Sequence, residues 1–242
     1  KTKPSQHSVR QLMESGIQAD VLVCRTEHVI PKEQRMKLAQ FCNVALENVI
    51  ECKDLETIYE VPLYLQKQDF DDVVLKPLNL KSDKQADLKD WKTFLKKYKN
   101  PKKSVEIALV GKYVSLQDSY KSIAESFIHA GADLETEVKV RWIYSGDLDE
   151  TNIEETFAGI DGILIAPGFG DRGIEGKIAA AKYARENKIP LLGICLGLQI
   201  ITIEFARNVL GYKQANSMDF DTSTPEPVIS LMDVQKNVVE HG

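Results

Sequence analysis

Two apolar runs that end in glycines, GILIAPGFG (162 to 170) and IPLLGICLG (189 to 197), most constrain what this chain can fold into. Each has the length of a buried strand and passes through glycines into a helical pattern, RGIEGKIAAAKYAREN (172 to 187) after the first and LQIITIEFARNVLG (198 to 211) after the second. Strand, turn and helix repeated in this way build an α/β domain on a parallel sheet. The alternation begins upstream, where VEIALVGKY (105 to 113) and EVKVRWIYS (137 to 145) read as strands and SYKSIAESFIHAGADL (119 to 134) as the helix between them. The expected fold is α/β, a doubly wound and largely parallel sheet. Ligands of such sheets sit at the carboxyl ends of the strands, where both glycine turns fall.

The first half carries a weaker version of the same pattern. ADVLVCRT (19 to 26) and NVIEC (48 to 52) read as strands and PKEQRMKLAQFCN (31 to 43) as a helix, while LETIYEVPLYLQKQ (55 to 68) is a helical pattern that Pro62 should kink or split. Between the halves the text turns lysine-rich and poor in β-branched residues, KPLNLKSDKQADLKDWKTFLKKYKNPKK (76 to 103), which predicts a solvated helix centred on Trp91. The expected organisation is a first domain over 1–78, a linker over 79–104 and a second domain over 105–242. No apolar run is long enough to span a membrane, and KTKPSQHSVRQL has no apolar stretch behind its basic residues, so it is not a secretory signal. A net charge of −5 argues against general nucleic-acid binding. The cysteines, Cys24, Cys42, Cys52 and Cys195, have neither metal-ligand spacing nor a disulfide pattern, so no metal site is expected. Reduced thiols and a cytoplasmic setting follow.

A cysteine in apolar text is usually an inert core residue, and Cys24, Cys42 and Cys52 read that way. Cys195 differs, because Gly193 and Gly197 frame it as G-x-C-x-G between a strand and a helix, the pattern of a nucleophile elbow. The thiol then sits at a helix N-terminus, which favours the attacking thiolate. Acyl transfer also needs donors for the oxyanion, and the candidates are the Leu196 amide and the glycine loop at Gly168.

GILIAPGFGDRGIEGKI, PLLGICLGLQ, EFARNVLG and QANSMDF together resemble consecutive blocks of the class I (triad) glutamine amidotransferases. KTKPSQHSVRQL, CRT, KLAQFCNV and KDLETIYEVP resemble the end of the amidoligase domain in the branch of that family that makes CTP. The resemblance implies that the first domain is part of a P-loop-like α/β amidoligase. It further implies that glutamine is hydrolysed in the second domain and that ammonia passes to the first, where ATP phosphorylates UTP and ammonia displaces phosphate. On this resemblance Cys195 is the nucleophile, Gly168 the oxyanion-loop glycine, and Leu196, Gly197, Leu198 and Gln199 the segment along bound glutamine. Asp219 stands where relatives commonly have a glutamate that contacts the glutamine amino group. Ala166 and Pro167 precede Gly168 where the family's loop usually reads PGGFG, and the peptide before that glycine must turn over to form the oxyanion hole.

In the first domain the resemblance assigns Lys1, Thr2, Lys3, Pro4, Ser5 and Gln6 to a loop that holds UTP or the feedback inhibitor CTP, ahead of a helix starting near Ser8. Lys37 becomes a second contact to that nucleotide, and Lys53, Asp54 and Leu55 the segment at the ATP adenine. Without the resemblance these would read as a frayed basic terminus, a solvated lysine and a strand-to-helix turn. It also implies magnesium, with ligands not in this chain, activation by GTP near Phe169 and Arg172, and a homotetramer.

Two expected parts are missing from the text. There is no GxxxxGK[ST] phosphate loop, and none of His7, His28, His129 and His241 stands in a His-x-Glu dyad that would complete the Cys195 triad. The expectation is a partial chain that by itself neither makes CTP nor hydrolyses glutamine efficiently. Three alternatives stay open: an amidotransferase for another acceptor, a cysteine peptidase or hydrolase with the same elbow, and a non-catalytic assembly piece.

Overall fold

The computed structural model describes residues 1–84 and 86–232. The chain divides into two compact units, Lys1–Lys96 and Lys97–Gly242. No described helix is long and apolar enough to cross a membrane.

The first unit runs α1 (Lys3–Glu14), β1 (Leu22–Thr26), α2 (Lys32–Cys42), β2 (Val49–Lys53), α3 (Val61–Gln66), α4 (Phe70–Leu75) and into α5 (Lys89–Lys99). β1 and β2 pair in parallel from Leu22 opposite Val49 to Thr26 opposite Lys53, so their carboxyl ends finish side by side. Val9 of α1 packs with Leu38, Ala39 and Cys42 of α2 on Val49. α2 stops at Asn43, whose left-handed backbone (φ 54°) frees Val44 to donate back to the Ala39 carbonyl.

Two expectations change here and one holds. α1 begins at Lys3, so Lys3 to Gln6 are helical and not a loop before Ser8. Proline is tolerated in a first turn because its missing N–H has no intrahelical acceptor there, and Pro4 occupies that turn. Pro62 splits its helical pattern as expected: a short 3-10 turn over Ile58–Glu60 hands over to α3, with the proline in its first turn. The helix around Trp91 is not wholly solvated. The indole Nε1 donates to the Tyr59 carbonyl at 2.8 Å, the Tyr59, Trp91 and Phe94 rings cluster, and Leu95 is buried.

The second unit runs β3 (Lys103–Gly111), α6 (Lys121–Asp133), β4 (Thr136–Tyr144), α7 (Ile153–Thr156), β5 (Gly162–Ile165), α8 (Ile174–Glu186), β6 (Leu191–Gly193), α9 (Leu196–Asn208), β7 (Ala215–Ser217) and β8 (Glu226–Ile229). The main sheet has the order β4-β3-β5-β6, all parallel, and β7 pairs with β8 apart from it. Alternate residues of each strand face opposite layers. Ala108, Val110, Ile163 and Ile165 pack toward α8 and α9, while Leu109, Leu164 and Ala166 pack with Tyr120 and the partly buried Phe127 of α6. Chain order reverses at β3, which has β4 on one side and β5 on the other. Loops leaving such a pair of strands part to opposite faces and open a crevice at the carboxyl ends.

Candidate active site

Cys195 occupies the turn between β6 and α9 with φ 54° and ψ −107°, a backbone state that a side chain resists, and it is exposed. Such a conformation costs on the order of 1–3 kcal/mol and lasts only where the surroundings impose it. Here the surroundings are backbone packed on backbone. A methyl on Gly193 would lie 2.4 Å from the Gly197 carbonyl group, and one on Gly197 would lie 2.2 Å from the Ile165 oxygen. The turn is also tied to β5, since Ile194 donates its N–H to that same Ile165 oxygen at 3.1 Å. α9 then starts at once, with Leu198 and Gln199 both donating to the Cys195 carbonyl. The Leu196 amide stands in the first turn, where N–H groups have no intrahelical acceptor and the helix dipole favours negative charge.

Gly168 belongs to the loop that leaves β5, and it meets the elbow: a methyl built on it would touch the Leu196 side chain at 3.5 Å. That is ordinary contact, and its φ is not among the positive ones. Neither space nor backbone geometry requires a glycine there in this conformation. Two lysines hold the loop. Lys177, fully buried on α8, donates to the Ala166 oxygen at 3.2 Å, and Lys112, just past β3, donates to the Phe169 oxygen at 3.0 Å. The second bond spans the β3/β5 crevice. Burial, helped by the Lys112 charge, pushes the Lys177 ammonium down to about 8.

Gln199, in the first turn of α9, donates from Nε2 to the Asp219 carboxylate at 3.2 Å, which brings the two polar candidates together. Its Oε1 is buried without a hydrogen-bond partner. An unmet acceptor beside a carboxylate suits a ligand ammonium. Leu198 is exposed at the same helix start, while Leu196 and Gly197 are buried beneath it. Phe169 is 81% exposed, and Arg172 lies over the Tyr144 ring at 6.0 Å.

Among the described residues of the second unit no histidine joins this arrangement. His7 and His28 belong to the first unit, and His129 is exposed on α6, which covers the sheet face opposite α9. His241 lies outside the described residues.

In the first unit the candidates lie on separate elements. Lys1 and Lys3 are exposed at the start of α1, where Gln6 Nε2 donates to Thr2 Oγ1 at 3.0 Å; Pro4 and Ser5 are exposed beside them. Lys37 is exposed on α2, 5.9 Å from the Phe41 ring centre. Lys53, Asp54 and Leu55 leave β2 at its carboxyl end, where Asp54 N–H donates to the Thr26 oxygen at 2.8 Å and Arg25 pairs with the Asp54 carboxylate. Beside that end, buried Glu51 accepts from Tyr64 and from the Ile30 amide, and the Glu51 bond pushes the Tyr64 phenol up to about 12.

Lys112 and Lys177 escaped the reading of the sequence. For Lys177 a signal existed: it falls on the α8 face that carries Ile174, Ile178 and Ala181, a charged residue on an apolar stripe.

Known proteins match this chain over its whole length. The glutamine amidotransferase class-I family matches residues 115–237, and the CTP synthase N-terminus family matches residues 1–80. The CTP synthases of Cytophaga hutchinsonii and Flavobacterium johnsoniae are 58% and 57% identical over all 242 residues. The chain spans 45% of the length of each of these relatives. The solved glutaminase domain of Trypanosoma brucei CTPS with bound acivicin is similar at 39% identity and a TM-score of 0.52, over 55% of this chain and 52% of that one. A strained cysteine elbow on a doubly wound sheet, matched over half the chain by one family, leads to a single conclusion: the chain belongs to the class-I glutamine amidotransferases.

Proposed function

We propose that the second unit releases ammonia from glutamine at Cys195 and that, in a protein of the relatives' length, the ammonia aminates UTP to CTP. The observation that carries this is the Cys195 backbone, held at φ 54° and ψ −107° on the first turn of α9 next to the glycine loop. Strain of that kind is kept where it aims a reactive group.

In the proposed reaction the Cys195 thiolate attacks the side-chain amide carbon of glutamine. A carbon–sulfur bond forms, the carbonyl pair moves onto oxygen, and the Leu196 amide with an amide of the Gly168 loop receives that charge. The oxygen pair then returns, the carbon–nitrogen bond breaks, and nitrogen leaves as ammonia after taking a proton from a general acid. Water cleaves the resulting thioester to glutamate and regenerates the thiol. Gln199 and Asp219 hold the glutamine ammonium as acceptors. Turning over the peptide before Gly168 explains why glycine stands where packing does not ask for it.

The amination belongs to the first unit. Lys1 to Gln6 and Lys37 would contact the UTP or CTP phosphates, with Lys53 to Leu55 at the ATP adenine. ATP phosphorylates the 4-oxygen of UTP, and ammonia then displaces phosphate. Magnesium belongs to the same reading, and among the described residues no group of three or more His, Cys, Asp or Glu could hold a metal. GTP activation, the homotetramer and a cytoplasmic site of action extend the same reading.

The test is Cys195→Ser in a protein of the relatives' length. CTP formation from glutamine should fall at least about a thousandfold, since the variant has no thiolate, and external ammonia should restore it. Glutamine-dependent synthesis that survives the substitution would overturn the reading.

A further inference from the structure

We propose that Lys177 is a positioning residue for the oxyanion loop: its buried Nζ grips the loop through the Ala166 carbonyl oxygen, with Lys112 gripping it through the Phe169 oxygen. The inference rests on the glutaminase reading of Cys195 and adds to it the device that holds the second donor in place.

The loop that leaves β5 is anchored at Ala166, which is buried and donates its N–H to the Val110 oxygen, but beyond it the backbone has little cover, because Phe169 and Gly170 are exposed. An oxyanion donor has to be in place before charge develops, since a donor that must first reorganise loses much of its effect. Something must therefore fix the peptide planes. Lys177 is 1% exposed, and among the described residues its hydrogen bond goes to the Ala166 oxygen at 3.2 Å. Its Nζ also lies 3.7 Å from where a Gly168 side chain would begin, next to the residue whose preceding peptide has to turn. An ammonium carries three donors, so one bond to Ala166 leaves others for a carbonyl that swings inward as the neighbouring amide swings out. Lys112 Nζ meets the Phe169 oxygen at 3.0 Å and lies 3.6 Å from the place of a Gly170 side chain. The loop is thus held by carbonyls on both sides, while the Ala166 amide donates to the Val110 oxygen and the Gly168 amide is left to serve the oxyanion.

Burying a lysine against a single carbonyl is unfavourable, and an apolar side chain would fit the α8 stripe better. Depression of the ammonium to about 8 is the mark of that cost. A residue kept there against stability is a candidate for a role in the site next to it.

The experiment measures glutamine hydrolysis in a protein of the relatives' length. Lys177→Met keeps the length of the side chain and removes its donors. Its kcat should fall about a hundredfold, the loss typical of one oxyanion donor, with KM for glutamine within about threefold. Lys177→Arg should recover at least about a tenth of wild-type kcat by restoring donors. Wild-type kcat in Lys177→Met, or a KM that worsens as much as kcat, overturns the proposal. Should Lys177→Met not fold, Lys112→Met reads the same loop from its exposed side, with about a fivefold loss of kcat expected from one charge-assisted bond and an unchanged kcat overturning the proposal. Cys195→Ser is run beside them. If it still hydrolyses glutamine, the glutaminase reading itself fails; if it is dead while the lysine variants match wild type, only the loop proposal fails.

Discussion

The strand ends of the second unit are crowded, whereas those of the first are open. At β5 and β6 backbone lies so close to backbone that a single methyl on Gly197 would come within 2.2 Å of the Ile165 oxygen. At β1 and β2 the carboxyl ends finish in exposed charge, with Arg25 and Asp54 paired at 3.3 Å and side chains 87% and 47% exposed. An exposed pair of this kind contributes little to stability. A covalent site needs its reacting atoms held to a fraction of an ångström, and only dense packing achieves that. The triphosphate surface proposed for the first unit would need charge at moderate range and tolerate mobile lysines.

The largest expected effect follows from the crowding. Gly197→Ala should destabilise the second unit by about 3 kcal/mol or more, because the clash is with backbone and cannot be relieved by a rotamer. A thermal midpoint that matches wild type would show the elbow to be looser than these contacts imply. The first unit has a crowded polar spot of its own at Glu51. Glu51→Ala leaves the Tyr64 hydroxyl and the Ile30 amide without their acceptor, and should cost about 2 kcal/mol. A loss that small or smaller at Glu51 beside a larger one at Gly197 sharpens the contrast; the reverse order breaks it.

Crowding also explains what could be read from the text. Gly193, Cys195 and Gly197 were legible because a tight turn forbids other side chains, and the alternating strands were legible because each face of the sheet is buried. The start of α1 was not, because Pro4 reads equally as the end of a loop or the first turn of a helix. Trp91 was misread because lysines around it hide a face whose partner, Tyr59, lies 32 residues away. Lys177 was passed over for a related reason: a charge in a helix is usually solvated, and only the fold reveals the loop above it. The open surface at Lys1 to Gln6 left no steric signature, and its assignment depends on resemblance alone.

Lys177 makes a pH-dependent prediction. Burial disfavours its charged form, so its folded value near 8 lies below the ordinary 10.5. Between those values the unfolded chain still holds the proton that the folded chain has released, and stability rises with pH. Wild type should therefore gain on Lys177→Met as pH climbs from about 8 to 10.5, with the penalty fully present below about 8. A difference between the two that stays flat across this window would mean that the ammonium is not buried in solution. Cys195→Gly tests strain at the same site. Relief of the backbone at φ 54° outweighs the added freedom of the unfolded chain, giving about 1 kcal/mol of stability while hydrolysis is lost. A variant less stable than wild type would mean that the turn is not strained.

The smallest structural effect is expected at Lys3, and it tests the comparison most directly. The side chain is exposed in the first turn of α1, no ion pair to it is seen among the described residues, and its cation lies at the end of the helix where positive charge is least favoured. Lys3→Ala should leave stability within about 0.5 kcal/mol of wild type. If Lys1 to Gln6 form the UTP surface, the same change should raise KM for UTP about tenfold, or about 1.4 kcal/mol of binding, and the difference should shrink as salt is added. A site built by crowding cannot separate the two readouts in this way, because its binding geometry and its stability come from the same contacts. A large stability loss at Lys3 would place the first unit's site in the same class as the Cys195 elbow; an unchanged KM would remove Lys3 from that site.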